Sequence, residues 1–288
     1  MGELTVFRPG LQAQIQDQGR TGLAYYAIPT SGPLDGYSAD LANVLLGNDA
    51  KAALIECHFV APTLRFDSDA TICLTGASLK WTLDGRRLKR NRTYQVSVGS
   101  QLSGQAAKRG CRAYIGIRGE MKTERTFGSA ACYAAAGFGG NEGRILAVGD
   151  KIFWKETAPW NAYMALDISG KKWNRSSVRI LPGPEFLWLT AECQRALTNT
   201  EFCITSDSNR MGAKLTGPRL SVGEKCLSHS MPVLPGMIQL PPSGHPIVVL
   251  QDGQTTGGYP RIGYIPQAEL CRLNQVRPGD SFRFEMAE

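Results

Sequence analysis

Lys80-Trp81-Thr82-Leu83-Asp84-Gly85-Arg86-Arg87-Leu88 reads as a β-hairpin. Two short runs flank Asp84-Gly85, a dipeptide suited to the positive φ angles of a type I′ turn. Upstream, Thr71-Ile72-Cys73-Leu74-Thr75-Gly76 is an apolar run ended by glycine. Downstream, residues 113–117 and 246–250 read as further buried strands. Helix signals are few. Residues 38–46 place apolar side chains at 41, 42, 44, 45 and 46 and close on Gly47, a natural C-cap. Residues 184–189 with 191–197 predict a second helix, and 268–273 a short third. Glycine takes 32 of the 288 positions, above the ~7% typical of proteins. Short strands with glycine-rich turns predict a mainly β fold, a barrel or sandwich, with a few short helices.

A repeated pattern divides the chain. Gly149-Asp150 enters an alternating run at 151–154, and Gly279-Asp280 does the same at 281–284. Each run is suited to closing a barrel. Between them, residues 155–177 are polar and without periodicity. The expected boundary lies at 160–176, with domains at 1–165 and 166–288.

Composition narrows the function. With 42% hydrophobic and 20% charged residues, the chain is globular rather than disordered. No apolar run approaches the ~20 residues of a membrane helix. The N-terminus lacks the apolar stretch of a secretory signal, so the expected location is cytoplasmic. Thirty-two basic against 25 acidic residues leave a net charge of +7, which favours anionic partners. The densest basic run, 86–92, reads as a solvated hairpin. Only Tyr94 stands near it, so no nucleic-acid partner is expected. Eight cysteines lie at least ten residues apart, and three histidines form no metal-spaced pair. No metal site is expected. Neither a P-loop nor a G-x-S-x-G elbow is present.

Four polar, glycine-rich segments remain: Gln16-Asp17-Gln18-Gly19-Arg20, Ser31-Gly32-Pro33-Leu34-Asp35, residues 206–212 around Arg210, and residues 251–260. Backbone N–H groups in such turns can converge on an anion or a carbonyl oxygen. The same residue types also make ordinary turns. The fourth segment is longer than a hairpin requires. In it, Gly257-Gly258 permits close approach, Thr255 and Thr256 are stiff, and Pro260 restrains Tyr259. Asp and Arg stand three apart at 17/20 and at 207/210. Two readings stay open there: anion binding by the arginines, or local ion pairs that shape the loops.

These segments, with Thr5-Val6-Phe7-Arg8-Pro9-Gly10-Leu11, Ala42-Asn43, Glu56, Gly137-Phe138-Gly139-Gly140, Arg210-Met211-Gly212 and Gln254-Thr255-Thr256-Gly257-Gly258-Tyr259-Pro260, resemble the KipA family. That family is also called allophanate hydrolase subunit 2, the 5-oxoprolinase C subunit, or subdomains A and B of biotin-dependent carboxyltransferases. The resemblance runs from about residue 4 to 286. It implies two tandem cyclophilin-like β-barrel domains. It also implies the C subunit of an ATP-dependent 5-oxoprolinase that opens 5-oxoproline to glutamate. Partners would be a KipI-type protein, the B subunit, and a LamB/YcsF-type protein, the A subunit. ATP would be bound by the assembled complex, and any biotin would come from another chain. On this reading Asp17, Arg20, Asp35, Arg210, Thr255, Thr256 and Tyr259 are the catalytic candidates. Gln254, Gly257, Gly258, Ser31 and Asn43 are candidates for binding substrate or an anion. Three alternatives accompany it: the carboxyltransferase half of a urea carboxylase, a regulatory protein that sequesters a KipI-type kinase inhibitor, and a binding module without catalysis. Two stretches depart from the family pattern. Ile117-Arg118-Gly119-Glu120 stands where Ala-Gly-Gly is usual, and Gly128-Ser129-Ala130-Ala131-Cys132 where Gly-Ser-Arg-Ser-Thr is usual.

Overall fold

The computed structural model describes residues 1–157, 164–166 and 177–287. The boundary expected at 160–176 therefore lies outside the described residues except for 164–166. Contacts divide the chain into two compact units. One comprises Met1–Arg20 and Ser31–Lys172, the other Thr21–Thr30 and Trp173–Glu288.

The first unit holds two sheets. In a seven-stranded sheet, Gly2–Arg8 pairs antiparallel with Lys151–Lys155 on one side and Thr63–Phe66 on the other. Alternate residues of Gly2–Arg8 are buried, as a strand with one covered face requires. The five-stranded sheet runs in the order Gln12–Gln16, Leu54–His58, Arg112–Ile117, Ala70–Gly76, Thr93–Val96. Both sheets feed one core, which includes Leu4, Phe66, Ile72, Leu74, Ile115 and Trp154. The hairpin forms as read: Thr82 pairs with Arg87 and Leu83 with Arg86, while Asp84 and Gly85 have φ of 49° and 79°.

Helix α1, Gly36–Leu46, starts on Asp35 and ends on Gly47 in the left-handed conformation. It lies over the five-stranded sheet, where Gly116 leaves room for Leu46: a Cβ at 116 would come 2.7 Å from Leu46 Cδ1.

In the second unit seven strands close a barrel. In order they are Ser177–Pro182, Arg261–Tyr264, Met237–Gln239, Ile247–Val249, Gly212–Thr216, Glu201–Ile204 and Ser281–Met286. The last strand follows the Gly279-Asp280 turn and returns parallel to the first. Phe202, Phe282 and Phe284 fill this end of the barrel, with ring centroids 5.3 Å and 5.1 Å from Phe284. Helices α2 (Ala191–Asn199) and α3 (Gln267–Leu273) sit where helical spacing was read, but residues 184–189 do not join α2: Phe186–Trp188 make a 3₁₀ turn, and the extended Leu189 and Thr190 separate it from the helix. The fold is thus mainly β with three short α-helices among the described residues.

Candidate functional site

The fourth polar segment is fastened at both bases by a buried arginine–carboxylate fork. Before it, Arg210 donates from Nε to Asp252 Oδ2 at 2.7 Å and from Nη2 to Oδ1 at 3.1 Å. After it, Arg261 donates from Nε to Glu185 Oε2 at 3.0 Å and from Nη2 to Oε1 at 2.8 Å. The Arg261 backbone N–H also reaches Glu185 Oε2 at 2.8 Å, and its Nη1 reaches the Pro232 carbonyl at 3.0 Å. No side chain of either fork is more than 9% exposed. Buried pairs persist when such bidentate geometry offsets desolvation. Burial alone would raise the Glu185 pKa, but the bonds from Arg261 overcome it and hold the carboxyl below its ordinary value.

Between the forks the loop comes to the surface. Gln254, Thr256, Gly258 and Tyr259 are exposed and Thr255 is half-buried. Thr256 and Gly257 pair with Pro232 and Met231, and Val233 N donates to the Thr255 carbonyl at 2.8 Å. Gln254 Nε2 donates to Gln239 Oε1 at 2.8 Å. Gln239 is 1% exposed, and its own Nε2 has no hydrogen-bond partner. The two glycines differ. A Cβ at Gly257 would come 2.5 Å from Gln239 Nε2, whereas one at Gly258 would meet nothing closer than Ser230 Oγ at 3.9 Å. The first is required by packing beneath the loop, and the second leaves the outer face open.

A second cluster lies in the first unit. Asp17, 5% exposed, accepts from Gly19 N at 2.9 Å, Ala130 N at 2.7 Å, Arg125 Nη1 at 3.1 Å and Ser129 Oγ. Arg20 donates to the Ala131 carbonyl and lies over the Phe138 ring. Asp207 pairs with Lys214. The local ion-pair reading therefore fails at both places: Asp17 goes to Arg125 and the 129–131 loop, and Arg210 to Asp252. Four donors thus meet the two Asp17 oxygens and fasten the loop.

Asp35 caps α1, taking Ser38 N at 3.1 Å and Ser38 Oγ at 2.6 Å. Its own N–H donates to the buried Tyr114 hydroxyl at 2.7 Å, which in turn donates to Glu56 Oε2 at 2.8 Å. Burial first, then the Glu56 and Asp35 charges, pushes the Tyr114 pKa up. Ser31 is buried at φ 54°, its Oγ unpartnered. Asn43 Nδ2 donates to the Ala52 carbonyl at 3.0 Å and ties α1 to the chain entering the next strand. Asp35 and Asn43 thus fasten α1 within the first unit. Among the described residues no three His, Cys, Asp or Glu side chains gather as a metal site, and none of the helices is long and apolar enough to cross a membrane.

Residues 26–286 match the family model for the carboxyltransferase domain, subdomain A and B. The chain belongs to that family. It is 33% identical over 283 residues to the 5-oxoprolinase C subunit of Escherichia coli, covering 98% of this chain and 90% of that protein. It is also 33% identical over 298 residues to urea amidolyase of Saccharomyces cerevisiae, covering 96% of this chain but 16% of that one. The crystal structure of TTHA0988 superposes with a TM-score of 0.89 at 30% identity, over 99% of this chain. This chain spans 56% of that solved chain, about half its length.

Within this member of the carboxyltransferase-domain family, sequence reading reached the exposed residues of the 254–259 loop but not their supports. Gln239, Asp252 and the Glu185–Arg261 fork were not nominated. The available signal was a lone glutamine in the otherwise apolar run Met237-Ile238-Gln239-Leu240.

Proposed function

We propose that the chain is the C subunit of a heteromeric, ATP-dependent 5-oxoprolinase-type amidohydrolase, with the 254–259 loop as its contribution to the reaction site. The observation that carries this is the match across 90% of the length of the E. coli relative. Because resonance stabilises a lactam, opening it needs donors where charge develops on the carbonyl oxygen. The Thr256 and Tyr259 hydroxyls are exposed on a loop fastened at both bases, which suits that task. Asp17 and Arg20 shape the 125–131 loop, Arg210 fastens the 254–259 loop, and Asp35 and Asn43 seat α1. Two domains, 1–165 and 166–288, in a cytoplasmic protein complete the proposal.

The Arg20 and Arg210 guanidiniums are already engaged with protein acceptors, the Ala131 carbonyl and Asp252. Neither place therefore offers a guanidinium to a nucleotide phosphate, and no ATP-dependent step is assigned to these residues. In the proposal ATP is held by the complex, formed with a KipI-type and a LamB/YcsF-type partner. Glutamate formation from 5-oxoproline and ATP tests this. The isolated chain is expected to be inactive, and addition of both partners to restore turnover. Thr256→Val or Tyr259→Phe should lower that turnover at least ~10-fold, about 1.4 kcal/mol of transition-state stabilisation, without changing folding. Turnover by the chain alone, or wild-type activity in both variants, overturns the assignment.

The urea amidolyase match supports a second reading, biotin-dependent carboxyl transfer. Met121-Lys122 lacks the Ala-Met-Lys-Met setting of a biotin acceptor, so a biotinylated carrier domain would be supplied separately. Carboxyl transfer to urea in that assay, with no glutamate from 5-oxoproline, favours the second reading.

A further inference from the structure

We propose that the concavity beside the 82–87 hairpin binds a small multivalent oxyanion, a phosphate ester or a polycarboxylate. Lys80, Arg87, Lys89 and Arg90 line a cavity of about 440 Å³, with Trp81 and Leu88 as its apolar wall. The volume lies in the range of small-molecule sites, roughly 300–1,000 Å³. No carboxylate contributes to the lining. Among the described residues, Lys80, Arg87 and Lys89 form no ion pair.

From the sequence alone, the charges of this hairpin read as solvated. The structure places four of them around one hollow instead. Like charges on a concave, partly apolar wall reinforce one another's field and draw in a counter-anion. Their backbone is fixed before any ligand arrives. Leu88 N donates to the Trp81 carbonyl at 2.9 Å. Lys89 N donates to Tyr94 Oη at 2.8 Å, and that hydroxyl donates back to the Lys89 carbonyl at 3.0 Å. Arg90 Nη1 is anchored on the Gly76 carbonyl. Lys80 is held at φ 49°, a left-handed conformation uncommon for a lysine. Trp81 is buried, and its Nε1–H lacks an acceptor within the fold. Four cations exceed what a monovalent ion neutralises, so the ligand is multivalent. Leu88, half-buried in the lining, receives its uncharged part.

Calorimetric titration of the full chain at low salt, with pyrophosphate and separately with citrate, tests the site. Saturable one-to-one binding of either probe is expected. Affinity should fall by roughly 10-fold or more in Arg87→Ala/Lys89→Ala, the size expected for losing charge-assisted bonds. Both replaced side chains are exposed, so an unchanged urea midpoint confirms that the variant is folded. Preference for pyrophosphate identifies a phosphate ester as the ligand class, and preference for citrate a polycarboxylate. Titrations that never saturate, or equal affinity in the folded double variant, overturn the proposal and return the hairpin to a solvated face. Catalytic activity does not enter the readout, so the result stands apart from the oxoprolinase assignment.

Discussion

Gly257 and Gly258 adjoin in sequence yet face different surroundings. Neither has a left-handed φ, so backbone freedom does not explain them. At Gly257 the obstacle is the buried Gln239 amide, 2.5 Å from where a Cβ would stand. That amide also accepts from Gln254 and so cannot move without releasing the loop. Gly257→Ala is therefore expected to destabilise the isolated chain by about 1–3 kcal/mol, the usual cost of overpacking. Gly258→Ala should change stability by no more than about 0.5 kcal/mol, as at an unconstrained surface position. Urea denaturation of the two variants separates them. On the proposed reading, Gly258→Ala is the informative variant in the assembled complex, because its methyl stands on the open face of the loop. Equal losses of stability in the two would show that Gly258 is packed as tightly as its neighbour.

At the scale of elements, local features were legible and distant ones were not. The Asp84-Gly85 hairpin, α1 from its apolar spacing and Gly47, and the strands after Gly149-Asp150 and Gly279-Asp280 follow from residues a few positions apart. The forks join residues 42 and 76 positions apart, so no spacing rule announces them. The Asp–Arg pairs that spacing did offer, 17/20 and 207/210, are dissolved by longer-range partners. The forks also carry a pH dependence. Glu185 has a lowered pKa through Arg261. Glu269 is buried too, which alone would raise its pKa, yet bonds from Arg179 and the Arg272 charge hold it low. A carboxyl lowered on folding stabilises fully above its unfolded value, near 4.3, and that contribution is lost as pH falls through the lowered folded value. The melting temperature is thus expected to drop below about pH 4, with a smaller acid loss in Glu185→Gln. Glu185→Ala, which strands a buried guanidinium, should cost about 3–5 kcal/mol at neutral pH. An acid limb identical in wild type and Glu185→Gln would assign the loss to other carboxylates.

For the whole molecule, the division into two units sets what can be separated. All seven strands of the closed barrel lie between Ser177 and Met286, so closure borrows no strand from the first 157 residues. Its apolar filling, including Val178, Ile180, Phe202, Ile238, Val248, Ile262 and Phe284, comes from the same stretch. Residues 21–30 group with this unit by contacts, but their short 3₁₀ turn, Ala24–Tyr26, buries no side chain. A fragment covering 177–288 is therefore expected to fold alone, since a domain with its own core and paired edges is self-sufficient. Circular dichroism should show β-structure, and urea should unfold the fragment in one cooperative transition. Loss of the 21–30 contacts should lower the midpoint modestly. The complementary cut is not symmetrical. A fragment ending near residue 157 keeps residues 21–30 but loses the unit with which they group, so it exposes a segment with no surface to cover. It should aggregate more readily than the barrel fragment at equal concentration. A non-cooperative or unfolded 177–288 fragment would show that the barrel depends on the first unit, and the proposed two-domain organisation would have to be abandoned.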